Sequence, residues 1–252
     1  MSKLDQLRKI VKKLRSPDGC DWDKEQTHES LTPYLLEEVY EVIEAIENKD
    51  YDLLKEELGD LLLHVIFQAD LAEDDNKFNI EDSIDTINHK LISRHPHIFT
   101  NKNDDSWEEG NWELQKQKEK KRDSILDGVP ASLPALLKAR RIQEKASSIG
   151  FDWNNTDRVI EKVDEEVAEL KEAIINKNGI EEELGDVLFT IVNLSRHLEI
   201  NPDQSLRKSI NKFIDRFKLI EKDLELKKID MKDMTLAELD EIWEKNKKNN
   251  SL

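Results

Sequence analysis

The stretch EELGDLLLHVIF, Glu56–Phe67, returns later in the chain as EELGDVLFTIVN, Glu182–Asn193. Its apolar pattern is the strongest indication of the fold. Leu53, Leu54, Leu58, Leu61, Leu62, Leu63, Val65 and Ile66 follow no period of two. On a helix they cover almost the whole circumference, which predicts a helix buried on most sides. Yet Glu57 and Asp60 share one strip of it, three residues apart. Carboxylates on a buried helix are costly unless they are paired or hold a cation.

Working outward, the repetition extends well beyond this helix. Gly19-Cys20-Asp21-Trp22 recurs as Gly150-Phe151-Asp152-Trp153, and Glu37-Glu38-Val39-Tyr40-Glu41 as Glu165-Glu166-Val167-Ala168-Glu169. Lys90-Leu91-Ile92-Ser93-Arg94 matches Lys212-Phe213-Ile214-Asp215-Arg216, and Trp112 with Lys116 matches Trp243 with Lys247. Five matches in the same order define two copies of one unit. The expected division is a first copy over 1–126, a Gly- and Pro-punctuated linker over 127–134, and a second copy over 135–252. Other segments share the helical period, such as Leu35, Val39, Val42 and Ile46, or Val163, Val167, Leu170 and Ile174. The fold class expected is all-α, a tandem pair of helical bundles.

The helix before each acidic helix carries Glu-x-x-Glu: Glu38 and Glu41 in the first copy, Glu166 and Glu169 in the second. Joined with Glu57 and Asp60, or with Glu183 and Asp186, four carboxylates converge per copy. Such a group cannot stay ionised without compensating cations. Oxygen donors alone suit Mg²⁺ or Mn²⁺, with phosphate oxygens completing the shell. Glu165 and Glu182, each one residue away, are candidates for outer ligands or for proton transfer. Redox di-iron chemistry is disfavoured, because the fourth residue of the motif is Asp60 or Asp186 and not His.

Composition bounds the function further. Lys and Arg number 39 against 56 Asp and Glu, a formal charge of −17, which argues against binding nucleic-acid duplexes. The first half carries 18 basic and 30 acidic side chains, the second 21 and 26. A single cysteine, Cys20, excludes a disulfide framework. The opening MSKLDQLRKIVKKL lacks the apolar core of a signal peptide, and no run approaches a membrane span, so a cytoplasmic protein is expected. No Gly-x-x-x-x-Gly-Lys-Ser/Thr loop is present. Lys212 and Arg216, four apart, share one helix face, as do Trp243 and Lys247.

Taken together, Gly19-Cys20-Asp21-Trp22-Asp23 with Glu25-Gln26-Thr27-His28, Tyr34-Leu35-Leu36-Glu37-Glu38, Arg94-His95-Pro96-His97, Leu133-Pro134-Ala135-Leu136 and Gly150-Phe151-Asp152-Trp153 resemble the MazG family of nucleoside triphosphate pyrophosphohydrolases in its two-domain bacterial form. The resemblance covers nearly the whole chain; Asp21 stands where a proline is expected. It implies a helical bundle in each half, assembly as a homodimer, and Mg²⁺-dependent hydrolysis of nucleoside triphosphates to monophosphate and diphosphate. It also implies that Glu166, Glu169, Glu183 and Asp186 are metal ligands, and that Lys212, Arg216, Trp243 and Lys247 contact the nucleotide.

The acidic helices differ further along the strip. The second reads Glu183, Asp186, Thr190, Asn193; the first reads Glu57, Asp60, His64, Phe67. Asn193 offers donors and an acceptor beside a metal, and Phe67 offers neither. The second copy is therefore expected to be the principal catalytic site, with Glu38, Glu41, Glu57 and Asp60 a second candidate metal site. Two alternatives stay open at this level: release of the γ-phosphate instead of pyrophosphate, and a non-catalytic helical scaffold whose acids are solvated faces.

Overall fold

The computed structural model describes residues 2–99, 113, 117 and 119–249, and among them the chain is helical with no strand. Trp112 and Lys116 lie outside the described residues. Two compact units are formed, Met1–Trp107 and Glu108–Leu252. In the first unit α1 spans Lys3–Leu14, α2 Asp21–Glu25, α3 Thr32–Asn48, α4 Tyr51–Asp74, α5 Ile80–Arg94 and α6 Pro96–Phe99. In the second, α7 spans Ala135–Ser147, α8 Thr156–Asn176, α9 Ile180–His197, α10 Pro202–Lys227 and α11 Leu236–Asn249, with a 3₁₀ turn at Met231–Asp233. No described helix is long and apolar enough to cross a membrane.

The unit boundary precedes the Gly- and Pro-rich break at 127–134. Glu113 and Ile125 both belong with the second unit, because the Lys145 ammonium donates to Glu113 Oε2 at 2.7 Å and to the Ile125 carbonyl at 2.9 Å. Gly and Pro mark where the chain turns. Contacts decide where a unit ends.

Local chemistry sets the helix ends. Ser2 and Asp5 form a capping box on α1, and Asn79 with Asp82 one on α5. Asp50 accepts from the backbone of Asp52 and Leu53 to start α4. In both copies the acidic hairpin turns through a left-handed lysine, Lys49 at φ 56° and Lys177 at φ 52°, which ends α3 and α8 and returns the chain antiparallel. These hairpins, α3 with α4 and α8 with α9, are the most closely packed pairs of the two units. The repeated glycine before the Asp-Trp motif serves two different needs. A Cβ on Gly19 would collide with the Leu14 carbonyl, whereas Gly150 sits at φ 85° with open space around it.

The first core is small: Val11, Leu31, Ile66 and Phe67, flanked by Leu4, Leu7, Leu63 and Leu71. Val159, Ala173, Val192, Ile220 and Leu224 are buried in the second unit. The expectation that α4 is buried on most sides is corrected. Leu58, Leu62 and Val65 are exposed, and so are their counterparts Leu184, Leu188 and Ile191 on α9. Each trio runs along one helix stripe. Its own unit covers only the opposite side.

Equivalent points on the acidic helices carry opposite charge. Asp70 on α4 and Arg196 on α9 each lie thirteen residues after the first acid of their strip, Glu57 or Glu183. Arg15, at the end of α1, pairs with Asp70, and its Nη2 lies 2.7 Å from Asp74 Oδ2; its guanidinium stands 5.5 Å from the Phe67 ring. In the second unit Arg196 forks onto Asp152 at 2.8 and 2.5 Å and donates to Asn193 Oδ1 at 2.8 Å. The turn preceding either hairpin would therefore bring a like charge to the acidic helix of the other copy.

Candidate metal centre

Three carboxylates converge in each hairpin. Oxygen atoms of Glu38, Glu41 and Glu57 lie within 4.8 Å of one another, and so do those of Glu166, Glu183 and Asp186. The fourth acid of each set, Asp60 or Glu169, stands outside this triplet but is felt by it electrostatically. Burial is uneven. Glu57 and Glu166 are only 8 % and 6 % exposed, Asp60 and Glu183 are half-buried, and Asp186 is exposed. The glutamate that begins Glu-x-x-Glu in the second copy is thus more deeply set than either acid of α9. Helix packing explains this, since Glu166 faces α9 across the hairpin and Asp186 lies on its rim.

The electrostatics mark both groups as short of positive charge. Burial, then Asp60, Glu41 and Glu57, push the Glu38 carboxyl up to about 7. Glu57 is raised by desolvation and by Glu41 and Asp60; Glu183 is raised by desolvation and by Glu169, Asp186 and Glu166. Oxygen-only donors under mutual repulsion fit a hard divalent cation. The second group holds a partial substitute that the sequence reading missed. Lys162 on α8 places its ammonium 2.7 Å from both Glu165 Oε1 and Glu166 Oε1. These acids raise the lysine pKa well above its ordinary value. The signal was present in the spacing, for Lys162 stands three and four residues before the two glutamates. The first copy has Tyr34 in its place.

The raised Glu38 pKa has two measurable consequences. A carboxyl whose folded pKa exceeds its ordinary 4.5 stabilises the metal-free fold below that value. That contribution is lost as pH rises through about 7. A cation bound there must displace the proton, so divalent binding at about pH 6 is expected to release close to one proton per chain from this group. The release falls towards zero by about pH 8.5, as calorimetry in buffers of different ionisation enthalpy will measure.

The remaining expected residues fall into two places. Asn193 and Thr190 are buried on the acid strip of α9, and the Asn193 carbonyl oxygen is committed to Arg196. Asp152 of the Gly-Phe-Asp-Trp turn thereby fixes the helix through Arg196, and accepts from Ser147 at 2.8 Å. These hydrogen bonds hold its carboxyl far below the usual range against the effect of burial. On α10 and α11 the structure brings Arg216 to 5.8 Å from the Trp243 ring, and Phe213 to 5.1 Å from the same ring. Lys212 is exposed beside them, and Lys247 donates to Glu244 at 3.0 Å. Among the described residues no ion pair joins Lys212 or Arg216 to the acidic triplet. Glu165 and Glu182 are both exposed.

A family model describing the MazG nucleotide pyrophosphohydrolase domain matches the chain twice, at residues 26–99 and 155–220. The chain belongs to the MazG family. Each match contains one acidic hairpin complete. Among curated relatives, a protein of Thermotoga maritima named nucleoside triphosphate pyrophosphohydrolase/pyrophosphatase MazG is 49 % identical over 243 residues, 96 % of this chain and 95 % of that one. The nucleoside triphosphate pyrophosphohydrolase of Escherichia coli K12 is 40 % identical over 258 residues, 98 % of each chain. A Bacillus subtilis relative, the uncharacterized protein YabN, is 41 % identical over 96 % of this chain but extends to about twice its length, 51 % being covered.

Proposed function

We propose that this protein is a nucleoside triphosphate pyrophosphohydrolase of the cytoplasm that uses Mg²⁺, or Mn²⁺, to convert NTP or dNTP and water to the monophosphate and diphosphate. The observation that carries the reading is the pair of carboxylate triplets set in duplicated MazG hairpins. Family membership and the two relatives named for this activity support it.

The second copy is the principal site. Glu166, Glu183 and Asp186, with Glu169 beside them, would hold the cation. When bound, it supplies charge neutralisation and polarisation of the phosphate oxygens. Water attacks the α-phosphorus in line; the new P–O bond forms as the bond to the β-phosphate bridging oxygen breaks, and pyrophosphate leaves. Glu182 or Glu165 takes the water's proton. Glu182 is the better placed, because Glu165 is held by Lys162. Lys212, Arg216 and Lys247 offset triphosphate charge, and Trp243 offers a ring face to the base. Two observations favour this copy over the first. Asn193 stands where the first has Phe67, and Glu113 is drawn into the second unit by Lys145 and Arg141. Glu113 directly follows Trp112, the first-copy counterpart of Trp243. The test is a panel of NTPs and dNTPs with Mg²⁺, expected to yield monophosphate and pyrophosphate. Diphosphate and inorganic phosphate would refute the pyrophosphatase reading, and no turnover with no Mg²⁺ binding would favour a scaffold.

We also infer a homodimer. The exposed stripes Leu58, Leu62, Val65 and Leu184, Leu188, Ile191 are apolar surface of the kind that a helix of a second chain covers. Leu188→Glu is expected to weaken self-association by more than about tenfold, as sedimentation measures, because it sets a charge in an apolar seam.

A further inference from the structure

On α9 the strip of Glu183, Asp186, Thr190 and Asn193 descends from the rim into the interior: Asp186 is exposed, whereas Thr190 and Asn193 are 7 % and 5 % exposed. A buried asparagine is costly unless both ends of its amide are used. Oδ1 is taken, accepting from Arg196 Nη2 at 2.8 Å. Nδ2 donates to no described residue, yet it is not sealed away from solvent. Arg196 is itself immobilised. It forks onto Asp152, which is fixed from two further sides, by the Ser147 hydroxyl at 2.8 Å and by His197 Nε2 at 3.0 Å. A guanidinium donates and never accepts, so this clamp admits one orientation of the amide: carbonyl towards Arg196, NH₂ away from it. The first copy has none of these parts. Phe67 fills the place of Asn193 in the core, Asp70 stands in place of Arg196, and Asp21, the counterpart of Asp152, pairs at 2.8 Å with Lys24 of its own short helix.

An amide oxygen turned to a buried guanidinium is a poor ligand for a second cation, so Asn193 works through its NH₂ group. It also lies seven residues past Asp186, about 10 Å along the helix axis. A nucleotide whose phosphates meet a cation at the carboxylates brings its nucleoside, not its phosphates, to that distance. We propose that Arg196 and Asp152 are positioning residues that hold Asn193 as a hydrogen-bond donor to an oxygen of the nucleoside, a sugar oxygen or a base carbonyl. This rests on the reading of the second copy as the site of nucleoside triphosphate hydrolysis. It adds a division of labour along one helix. Acids at the rim take the phosphates through the cation, and the amide further along selects what the phosphates carry.

The test compares the full-length chain with Arg196→Lys, Asn193→Ala and the double variant. Lysine keeps a positive charge beside Asp152 but has no planar fork to hold the aspartate and the amide together. KM and kcat are measured for ATP and UTP with saturating Mg²⁺, and the Kd of inorganic tripolyphosphate by calorimetry. Each single change is expected to raise KM about tenfold, the weight of one buried hydrogen bond, and to leave kcat within about twofold, because the contact is made before and during bond exchange alike. The double variant should be no worse than Asn193→Ala alone, since the arginine acts through the amide. Tripolyphosphate, which carries no nucleoside, should bind every form equally. Asp152→Asn loosens the clamp from its far end and should repeat the pattern of Arg196→Lys, which guards against a folding defect peculiar to position 196. A loss shared by ATP and UTP assigns the acceptor to the sugar; a loss confined to UTP assigns it to the base, because adenine has no carbonyl. Multiplied losses in the double variant, or a parallel loss of tripolyphosphate binding, would overturn the inference while leaving the hydrolytic reading intact. Absence of turnover of either nucleotide by the unmodified chain would remove both.

Discussion

Glu183→Ala is expected to lower pyrophosphate release by about three orders of magnitude, with Glu57→Ala costing less than about threefold. The physical case lies in what each substitution leaves behind. Glu183 shares its oxygens' space with Glu166 and Asp186, so its loss removes one donor from a group of three. The two that remain hold a cation weakly, and the phosphates lose their neutralising charge at the step where bonds exchange. Glu57 sits in an equally tight triplet, but Phe67 and not Asn193 follows it along the strip. Steady-state assays of both variants over a Mg²⁺ series decide the matter. If only Glu57→Ala abolished turnover, the assignment of the second copy would be wrong. The Mg²⁺ series also separates lost affinity, which excess metal rescues, from a lost catalytic group, which it does not.

The largest effect on stability is expected at Glu113. Its carboxylate receives the Lys145 ammonium at 2.7 Å and pairs with Arg141, and the side chains of Lys145 and Glu113 are only 4 % and 7 % exposed. Arg141 is held in turn by Glu144 at 2.8 Å. Glu113→Ala leaves the Lys145 charge buried with a single carbonyl, that of Ile125, as partner. Stranding one member of a buried pair costs about 3–5 kcal/mol. Urea denaturation is expected to show this as an early transition confined to the second unit, while the first unit's midpoint stays in place. A single unshifted transition would show that the ion pair contributes nothing net. The double variant Glu113→Leu with Lys145→Met, which removes both charges, should recover most of the loss, because an apolar pair of similar volume replaces the ions without desolvation.

Much of the fold was legible in the residues. Helical period acts within a few residues and the repeated motifs keep their order along the chain, and such signals survive in a one-dimensional reading. The acid spacing was equally local: Glu-x-x-Glu and Glu-x-x-Asp fix each pair on one helix face, and the triplets of both hairpins formed from them. Lys162 was overlooked although its spacing to Glu165 and Glu166 announced it. What spacing did not reveal was long-range. Arg196 meets Asp152 across 44 residues and Lys145 meets Glu113 across 32, and no periodic pattern encodes such a pairing. Nor could the sequence rank the acids by depth. Asp186 and Glu166 look alike on paper, yet one lies on the rim and the other beneath it.

Two copies of an all-helical unit, each with an acidic hairpin, are therefore readable from the residues alone. Those properties follow from i, i+3 and i, i+4 geometry, which any helix imposes on its own residues. Which three of the four carboxylates lie within reach of one another, the placing of His64 beside Glu38, and the apolar stripe left uncovered on α4 and on α9 arise only in the folded chain. Those outcomes depend on how one helix rolls against the next. That roll is fixed by the packing of side chains far apart in the chain, and an apolar circumference looks the same in sequence whether its own unit or a second molecule covers it.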